Sequence, residues 1–385
     1  MSKSSVTVDA KIFHAAVVRA AAGIGRDKTY PILNCVRLTV ANGEMEIVAT
    51  DLNQRMRLVI PAQGACETLC IEMARLSSVL AAVRERGEVK LTVEGQHAAG
   101  SNVKLTCGRS SFSLVSLSAE GYPNLAEPEP GTEFTVRGAD LASLIASVSY
   151  AIFDGKDRYA LHGICLQAGT ATEPNVAGQL LAVATDGLAM AVRNIPAPGL
   201  PATMASIIVP AAAAAAIGKL FGDAAEVSVR CDDKRLALRA DNFDFLTRLI
   251  EAEYPPWRNF YPETHAGHAY DAVELRSAIS VATAAAEVAK DSGKPMKIIF
   301  GETETTLTAV DINAQGFSGH DVIRHQALEP SGFTEIGVNG LRLLEALDHL
   351  DVETVEIAVT AGTKLITLRG AGRNDRRCGV MPMLV

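Results

Sequence analysis

A turn that recurs three times constrains this chain more than any other feature. The middle copy, Leu180-Leu181-Ala182-Val183-Ala184-Thr185-Asp186-Gly187-Leu188-Ala189-Met190-Ala191-Val192, reads as a strand, a tight turn at Thr-Asp-Gly and a returning strand. An Asp at such a turn caps its own backbone. An earlier copy centres on Ala49-Thr50-Asp51-Leu52, and a weaker one on Ala309-Val310-Asp311-Ile312. Asp51, Asp186 and Asp311 lie 135 and 125 residues apart, a period of duplicated domains and not of a solenoid of short units.

The repetition extends beyond the turn. An acidic residue opening an amphipathic helix precedes each copy: Asp9, Asp140 and Asp271. A second helix start follows, near Met73, Pro210 and Asn339, and then a pair of strands. Two copies close on Tyr-Pro, as Tyr122-Pro123-Asn124-Leu125 and Tyr254-Pro255-Pro256-Trp257, and the third on Met381-Pro382-Met383. The fold class is therefore α+β, with three repeated domains at 1–126, 132–260 and 269–385, each with two helices packed on β-sheets. Each is long enough to bury a core. Residues 127–131 and 261–269 read as linkers.

Within this frame, residues 8–22 place Ile12, Phe13, Ala16, Val17 and Ala20 on one helical face, and residues 31–40 read as a strand before an Asn42-Gly43 hairpin turn. Further helices are expected at 73–86, 140–152, 271–290 and 339–350. The six alanines 211–216 read as a close-packed helix, with Pro210 favourable at its first turn. The apolar tail, residues 380–385, reads either as a final edge strand docked in the third repeat or as a functional surface.

Composition narrows the class. At 48% hydrophobic and 21% charged the chain is that of a soluble globular protein, and 5% aromatics leaves the cores aliphatic. No apolar run approaches the ~18 residues of a membrane span, and no signal-peptide stretch opens the sequence. Seven cysteines, at 35, 66, 70, 107, 165, 231 and 378, form no framework and suggest reduced thiols in a cytoplasm. The net charge of −8 argues against gripping nucleic acid over the whole surface, though not against a local basic patch.

No catalytic constellation emerges. Cys66 and Cys70 lack the second pair that a zinc site needs, and His265 and His268 fall in a linker without a carboxylate cluster. The turn aspartates are read as backbone caps. No phosphate-binding loop and no Gly-x-Ser-x-Gly elbow is present. The expectation is a binding protein with no enzyme activity, no metal and no cofactor.

The repeats and the tail carry a resemblance to a known family. Tyr30-Pro31-Ile32-Leu33, Ala49-Thr50-Asp51-Leu52, Gly108-Arg109-Ser110-Ser111-Phe112-Ser113-Leu114, Tyr122-Pro123-Asn124-Leu125, Arg158-Tyr159-Ala160-Leu161, Val183-Ala184-Thr185-Asp186-Gly187, Ile336-Gly337-Val338-Asn339 and Met381-Pro382-Met383 occur in an order and spacing specific to it. Over its whole length the chain resembles the bacterial sliding clamps, the beta subunits of DNA polymerase III. The resemblance implies a head-to-tail homodimer forming a closed ring around duplex DNA, lined by helices. Such a ring tethers a polymerase without reading base sequence, so its phosphate contacts are weak.

Three sites are implied. A peptide-binding groove would take short linear peptides of DNA polymerase III and other polymerases, the clamp loader and mismatch-repair proteins. By matched motif it uses Arg158, Leu161, Thr185, Gly187, Leu188, Ala189 and Met190 from the second repeat. Pro255, Asn259 and Phe260 follow, and Met381, Pro382 and Met383 come from the tail. Methionine suits a groove with many partners because it repacks easily. DNA contacts are sought among Lys11, Arg19, Arg26, Lys28, Arg75, Lys156, Arg158, Lys219, Lys290 and Lys294, although the six helices do not sum to a positive face. The dimer contact is sought at Arg109, Phe112 and Leu114 against Val288, with Phe112 equally readable as core.

The chain also departs from the family. Leu188-Ala189-Met190 stands where His-Arg-Leu is common, Tyr159-Ala160 where two aromatics are usual, Tyr254-Pro255-Pro256-Trp257 where Phe-Pro-Asp-Tyr is frequent, and Leu384 where Arg often follows the last Met. These changes predict a shallower or more apolar groove with altered peptide preference. They raise the alternative of a clamp-like peptide-binding scaffold that does not encircle DNA, or of a divergent second clamp.

Overall fold

A computed structural model describes residues 4–22, 29–97, 100–169, 177–261, 267–284, 293–309, 318–328, 334–359 and 365–385. Arg26, Lys28, His265, Val288, Lys290 and the third turn aspartate, Asp311, lie outside the described residues.

The main elements recur three times in one order: a strand, a helix, four strands, a helix and three strands. The helices are α1 (Ala10–Ala22) and α2 (Met73–Val83), α3 (Gly138–Val148) and α4 (Ala211–Leu220), and α5 (Ala272–Thr283) and α6 (Gly340–Asp348). Local chemistry explains their starts. The Asp9 carboxylate accepts the Ile12 N–H at 2.9 Å, and Asp271 accepts the Val273 and Glu274 N–H groups, both at 2.9 Å. Such a cap stabilises a helix by about 1 kcal/mol. Asp140 differs from expectation: it lies inside the first turn of α3, 3.6 Å from Arg137. α4 buries Ala213, Ala214 and Ala216, whose small side chains permit close approach.

By its contacts the chain forms two compact units. One comprises Met1–Ala142, Pro198–Pro201 and Ala212–Leu249, the other Ser143–Ala197, Ala202–Ala211 and Ile250–Val385. The division falls inside the second repeat because sheets run through the repeats. In the first unit a 13-stranded sheet crosses from the first repeat to the second where Gln54–Pro61 pairs antiparallel with Phe243–Arg248. In the second unit a nine-stranded sheet crosses from the second repeat to the third where Ala189–Pro196 pairs with Arg376–Val380. A four-stranded sheet completes that unit.

The core of the first unit holds fully buried Phe13, Leu38, Met45, Ile47, Met56 and Leu76. Each such side chain contributes roughly 1.5–3 kcal/mol. The second unit has one cluster around Leu275, Ile279, Met296, Leu343 and Leu347. A second gathers Leu161, Val183, Met190, Tyr254 and Trp257.

Several sequence expectations are corrected. Residues Pro31–Asn34 form a 3-10 turn, with proline at its start, before the strand Cys35–Ala41. The expected linker at 127–131 is pinned: the Glu127 carboxylate lies 2.6 Å from Arg55, 3.5 Å from Arg239 and 3.8 Å from Arg230. Burial pushes the Glu127 pKa up, but the Arg55 hydrogen bond and the three arginine charges leave it below the ordinary value. The second expected linker gives way to the strand Gly267–Asp271, where His268 is buried, stacked on Phe300 at 4.8 Å and edge-on to His325 at 4.2 Å. Burial lowers both histidine pKa values. The edge strand expected at 380–385 is absent: the last strand is Arg376–Val380, which sits between Ala189–Pro196 and Ile366–Gly370, and residues 381–385 are not a strand. All seven cysteines are free thiols. Burial raises Cys35, Cys66, Cys165 and Cys231 to about 11 and Cys70 and Cys378 to about 12, which keeps them protonated and unreactive.

Candidate functional site

The Asp186 turn is the best-defined element of the candidate groove. Asp186 Oδ1 accepts the N–H groups of Leu188 at 2.8 Å and Ala189 at 2.7 Å. Thr185 Oγ1 donates to the Ala189 carbonyl at 2.7 Å and accepts the Gly187 N–H at 3.0 Å. Gly187 has φ +88°, and a Cβ there would run into the Arg158 guanidinium. The left-handed backbone there favours glycine, and a Cβ would displace the Arg158 guanidinium. Arg158 itself sits in the left-handed region at φ 56° and donates from Nη1 to the Asp186 carbonyl at 3.2 Å. Its guanidinium carbon lies 5.5 Å from the Phe153 ring centre.

Beneath this turn is a packed apolar floor. Leu161, Ala189 and Met190 are buried, and Met381 packs half-buried against the cluster that contains Leu161 and Met190. Leu188 and Phe260 are about half exposed, at 50% and 52%. Asn259 is exposed beside Phe260 on the 3-10 turn Trp257–Phe260, with Pro255 half-buried before it. The groove candidates therefore separate into a floor (Leu161, Ala189, Met190) and accessible groups (Arg158, Gly187, Leu188, Asn259, Phe260). Thr185, Pro255, Met381, Pro382 and Met383 are half-buried between them.

The tail is held through its backbone. The Met381 N–H donates to the Leu188 carbonyl at 2.8 Å and the Met383 N–H to the Gly337 carbonyl at 2.9 Å. A Cβ on Gly337 would collide with the Met383 carbonyl and the Val385 side chain. Equivalent bonds occur one repeat earlier: Arg248 N–H to Asn53 carbonyl at 2.8 Å, and Ile250 N–H to Ile208 carbonyl at 2.9 Å. Residues 381–383 are thus the third-repeat copy of residues 248–250.

Some charged residues were not singled out by sequence reasoning. Arg342 Nη1 donates to Asp186 Oδ2 at 2.6 Å. With the Gln167 amide oriented to suit its neighbours, its oxygen accepts both terminal nitrogens of Arg258, at 2.7 and 2.8 Å. Arg258 also lies 4.4 Å over the Trp257 ring, and Arg377 5.4 Å over Tyr261. An arginine on a helix or strand gives no periodic signal, so only its partner reveals it.

The nucleic-acid candidates divide sharply. Arg19 donates to the Leu220 carbonyl at 2.7 Å and stacks 3.6 Å over Phe243, and burial lowers its pKa against the pull of Asp223 and Asp241. Lys294 donates from Nζ to the Thr283 carbonyl at 2.8 Å. Both thus satisfy the terminal carbonyls of helices, α4 and α5. Arg75 is ion-paired with Glu72 at 2.7 Å but largely exposed. Lys11, Lys156 and Lys219 are exposed.

At the candidate dimer edge, the strand Ser110–Leu117 pairs along its whole length with Gly100–Cys107, but with Leu69–Glu72 only through Ser116 and Leu117. Arg109 is exposed, Phe112 half-buried and Leu114 buried. A cleft of 440 Å³ lined by Pro31, Ile71, Arg75, Leu114, Val115 and Leu117 runs beside it. Among the described residues no group of three or more His, Cys, Asp or Glu side chains could hold a metal ion. No helix among them is long and apolar enough to cross a membrane.

Comparison with known proteins places this geometry. A family model for the DNA polymerase III beta subunit, N-terminal domain, matches residues 5–126, and one for its central domain matches residues 135–256. The beta sliding clamp of Salmonella typhimurium (strain LT2) is 25% identical over 366 residues, with 94% of each chain covered. That of Escherichia coli (strain K12) is 24% identical over 365 residues, again with 94% of each covered. A solved Pseudomonas aeruginosa DNA polymerase III subunit beta bound to griselimycin has a TM-score of 0.87 at 21% identity, over 100% of both chains. The Thermotoga maritima beta subunit has a TM-score of 0.83 at 18% identity, over 99% of both.

Proposed function

Because the chain belongs to the DNA polymerase III beta subunit family, the bacterial beta sliding clamps, we propose that it acts as a DNA sliding clamp. Two copies close head to tail into a ring around duplex DNA and tether DNA polymerase III for processive synthesis. It is not an enzyme; its work is topological, and it takes place in the cytoplasm. The domains run 1–126, 132–260 and 269–385.

The observation that carries this reading is how the repeats are joined. Within each compact unit, consecutive repeats are continuous by antiparallel strand pairing, at Gln54–Pro61 with Phe243–Arg248 and at Ala189–Pro196 with Arg376–Val380. A chain that joins its own repeats edge to edge extends to a second copy by the same means. The open length of Ser110–Leu117, with Arg109, Phe112 and Leu114, supplies one such edge, and it contacts Val288 of the other copy. DNA contact comes from the exposed Lys11, Lys156 and Lys219, with Arg75 and Arg158 and with Arg26, Lys28 and Lys290. Arg19 and Lys294 serve as helix caps instead.

The groove takes extended peptides of polymerases, the clamp loader and mismatch-repair proteins. Arg158, Gly187, Leu188, Asn259, Phe260 and the tail Met381-Pro382-Met383 form its accessible wall over a floor of Leu161, Ala189 and Met190, flanked by Thr185 and Pro255. Leu188 in place of the family's common histidine makes that wall more apolar. A peptide titration on Leu188→His tests this, and identical preferences would remove the claim.

A second reading, a peptide-binding scaffold that does not encircle DNA, is favoured by how many helix cations are already engaged. Arg19 and Lys294 are bound to carbonyls, and Arg75, Arg276 and Arg342 to carboxylates. One experiment separates the two. The protein is loaded on a nicked circular plasmid by its clamp loader, the complex is isolated, and the plasmid is then cut once. Retention on the circle and loss on cutting is the expected outcome. Retention after cutting, or none on either form beside a working control clamp, overturns the ring.

A further inference from the structure

The Asp186 carboxylate has two oxygens with different tasks. Oδ1 organises the turn by accepting the Leu188 and Ala189 N–H groups. Oδ2 faces away from the turn and receives Arg342 at 2.6 Å. The same residue's backbone carbonyl receives Arg158 at 3.2 Å, and the Leu188 carbonyl receives the tail at Met381. One aspartate thus gathers three parts of the candidate groove, and Arg342 holds it from behind. The matching Asp51 carboxylate accepts the two turn N–H groups, of Asn53 and Gln54, and among the described residues no ion pair to a cation is seen on it.

The location of Arg342 is itself informative. It lies in the first turn of α6, three residues after the Asn339 cap. A cation there opposes the helix dipole, so its placement is not explained by α6 alone. Leu343, Ala346 and Leu347 anchor α6 in the core of the third repeat, which fixes where the guanidinium stands. Asp186 and Arg342 are both mostly shielded, at 16% and 28% side-chain exposure, so the charge-assisted bond is poorly screened.

We infer that Arg342 is a positioning residue for peptide recognition: through Asp186 it sets the turn that presents Gly187, Leu188 and the Arg158 guanidinium to an extended peptide. The inference rests on the groove reading above. It makes affinity at the groove depend on the ion pair that Arg342 of the third repeat forms with Asp186.

The test uses the full-length protein and fluorescent peptides tiled across the cognate DNA polymerase III catalytic subunit, the tightest serving as probe. Arg342→Met is expected to weaken the probe about tenfold, with an unchanged unfolding midpoint. Arg342→Lys restores most of the loss, and Asp186→Asn combined with Arg342→Met is no weaker than Asp186→Asn alone. Arg276→Met removes a pair of the same length, Arg276 with Asp348 at 2.6 Å, between α5 and α6 and away from the turn. It is expected to leave the probe unaffected. Wild-type affinity in Arg342→Met, or an equal loss in Arg276→Met, overturns the inference. Leu188→Glu separates the two levels: if it abolishes binding while Arg342→Met does not, only the positioning role falls. If neither changes binding, or no peptide binds, the groove reading falls and the inference with it.

Discussion

The turns at Asp51 and Asp186 share their hydrogen bonds group for group, yet they end in different uses. In both, Thr Oγ1 donates to the carbonyl four residues on, and Asp Oδ1 accepts two successive backbone N–H groups. In both, the next strand pairs across into the following repeat in the same register, Gln54 against Thr247 and Ala189 against Val380. The side chains then diverge. The first seam strand carries Arg55 and Arg57, which bind Asp244 at 3.0 Å each; Arg55 and Asp244 are nearly dry, whereas Arg57 is partly exposed. The second carries Met190 and Val192 at those positions, and its turn holds Gly187 where the first has Leu52. A single backbone device has become a charged clasp in one copy and an apolar shelf in the other. The backbone sets where a seam forms, and the side chains set whether it stays open to a partner.

The largest way to break this comparison is to remove the clasp. Asp244→Ala removes one of the two carboxylates on buried Arg55, leaving Glu127 at 2.6 Å, and the first unit should lose about 1.5–3 kcal/mol in denaturant unfolding. A loss under 1 kcal/mol would show that strand pairing alone holds that seam. Next is to make the second turn resemble the first. Gly187→Leu forces a branched side chain into the left-handed region, at about 1–2 kcal/mol, and drives out Arg158. Fluorescence anisotropy should then show peptide binding weakened at least about tenfold, and full affinity would free Arg158 of its assigned place. The converse change is the smallest. Leu52 sits at φ 77° with 42% exposure. Leu52→Gly relieves that strain against glycine's added chain entropy, and thermal unfolding should show a gain of no more than about 1 kcal/mol. A clear loss instead would mean that the Leu52 side chain contributes more by packing than its conformation costs.

What could be read in advance followed the range of the chemistry. The turn bonds of Asp51 and Asp186, the caps of Asp9 and Asp271 and the alanine helix α4 depend on residues a few positions apart, and periodicity reveals them. The pinning of Glu127 depends on Arg230 and Arg239, about a hundred residues away, and composition made it look like a linker. The tail strand looked like an edge because its neighbour, Ala189–Pro196, lies nearly two hundred residues earlier. At the site, Arg158 and Gly187 were visible because the turn names them. Leu161, Ala189 and Met190 were visible as residues but not as a floor, since burial is not written in a short motif. Arg342 was invisible until its carboxylate partner was seen.

The placement of Arg376–Val380 inside its sheet has a mechanical consequence. On the proposed function, a moving polymerase held at residues 381–383 would pull on a strand that is hydrogen-bonded along both sides, to Ala189–Pro196 and to Ile366–Gly370. Force along that strand loads the bonds of both ladders together in shear, whereas a terminal edge strand would peel away one bond at a time. The proposed tether point would then be an anchor built into the sheet, able to take drag from a cargo without unravelling the chain end that holds it.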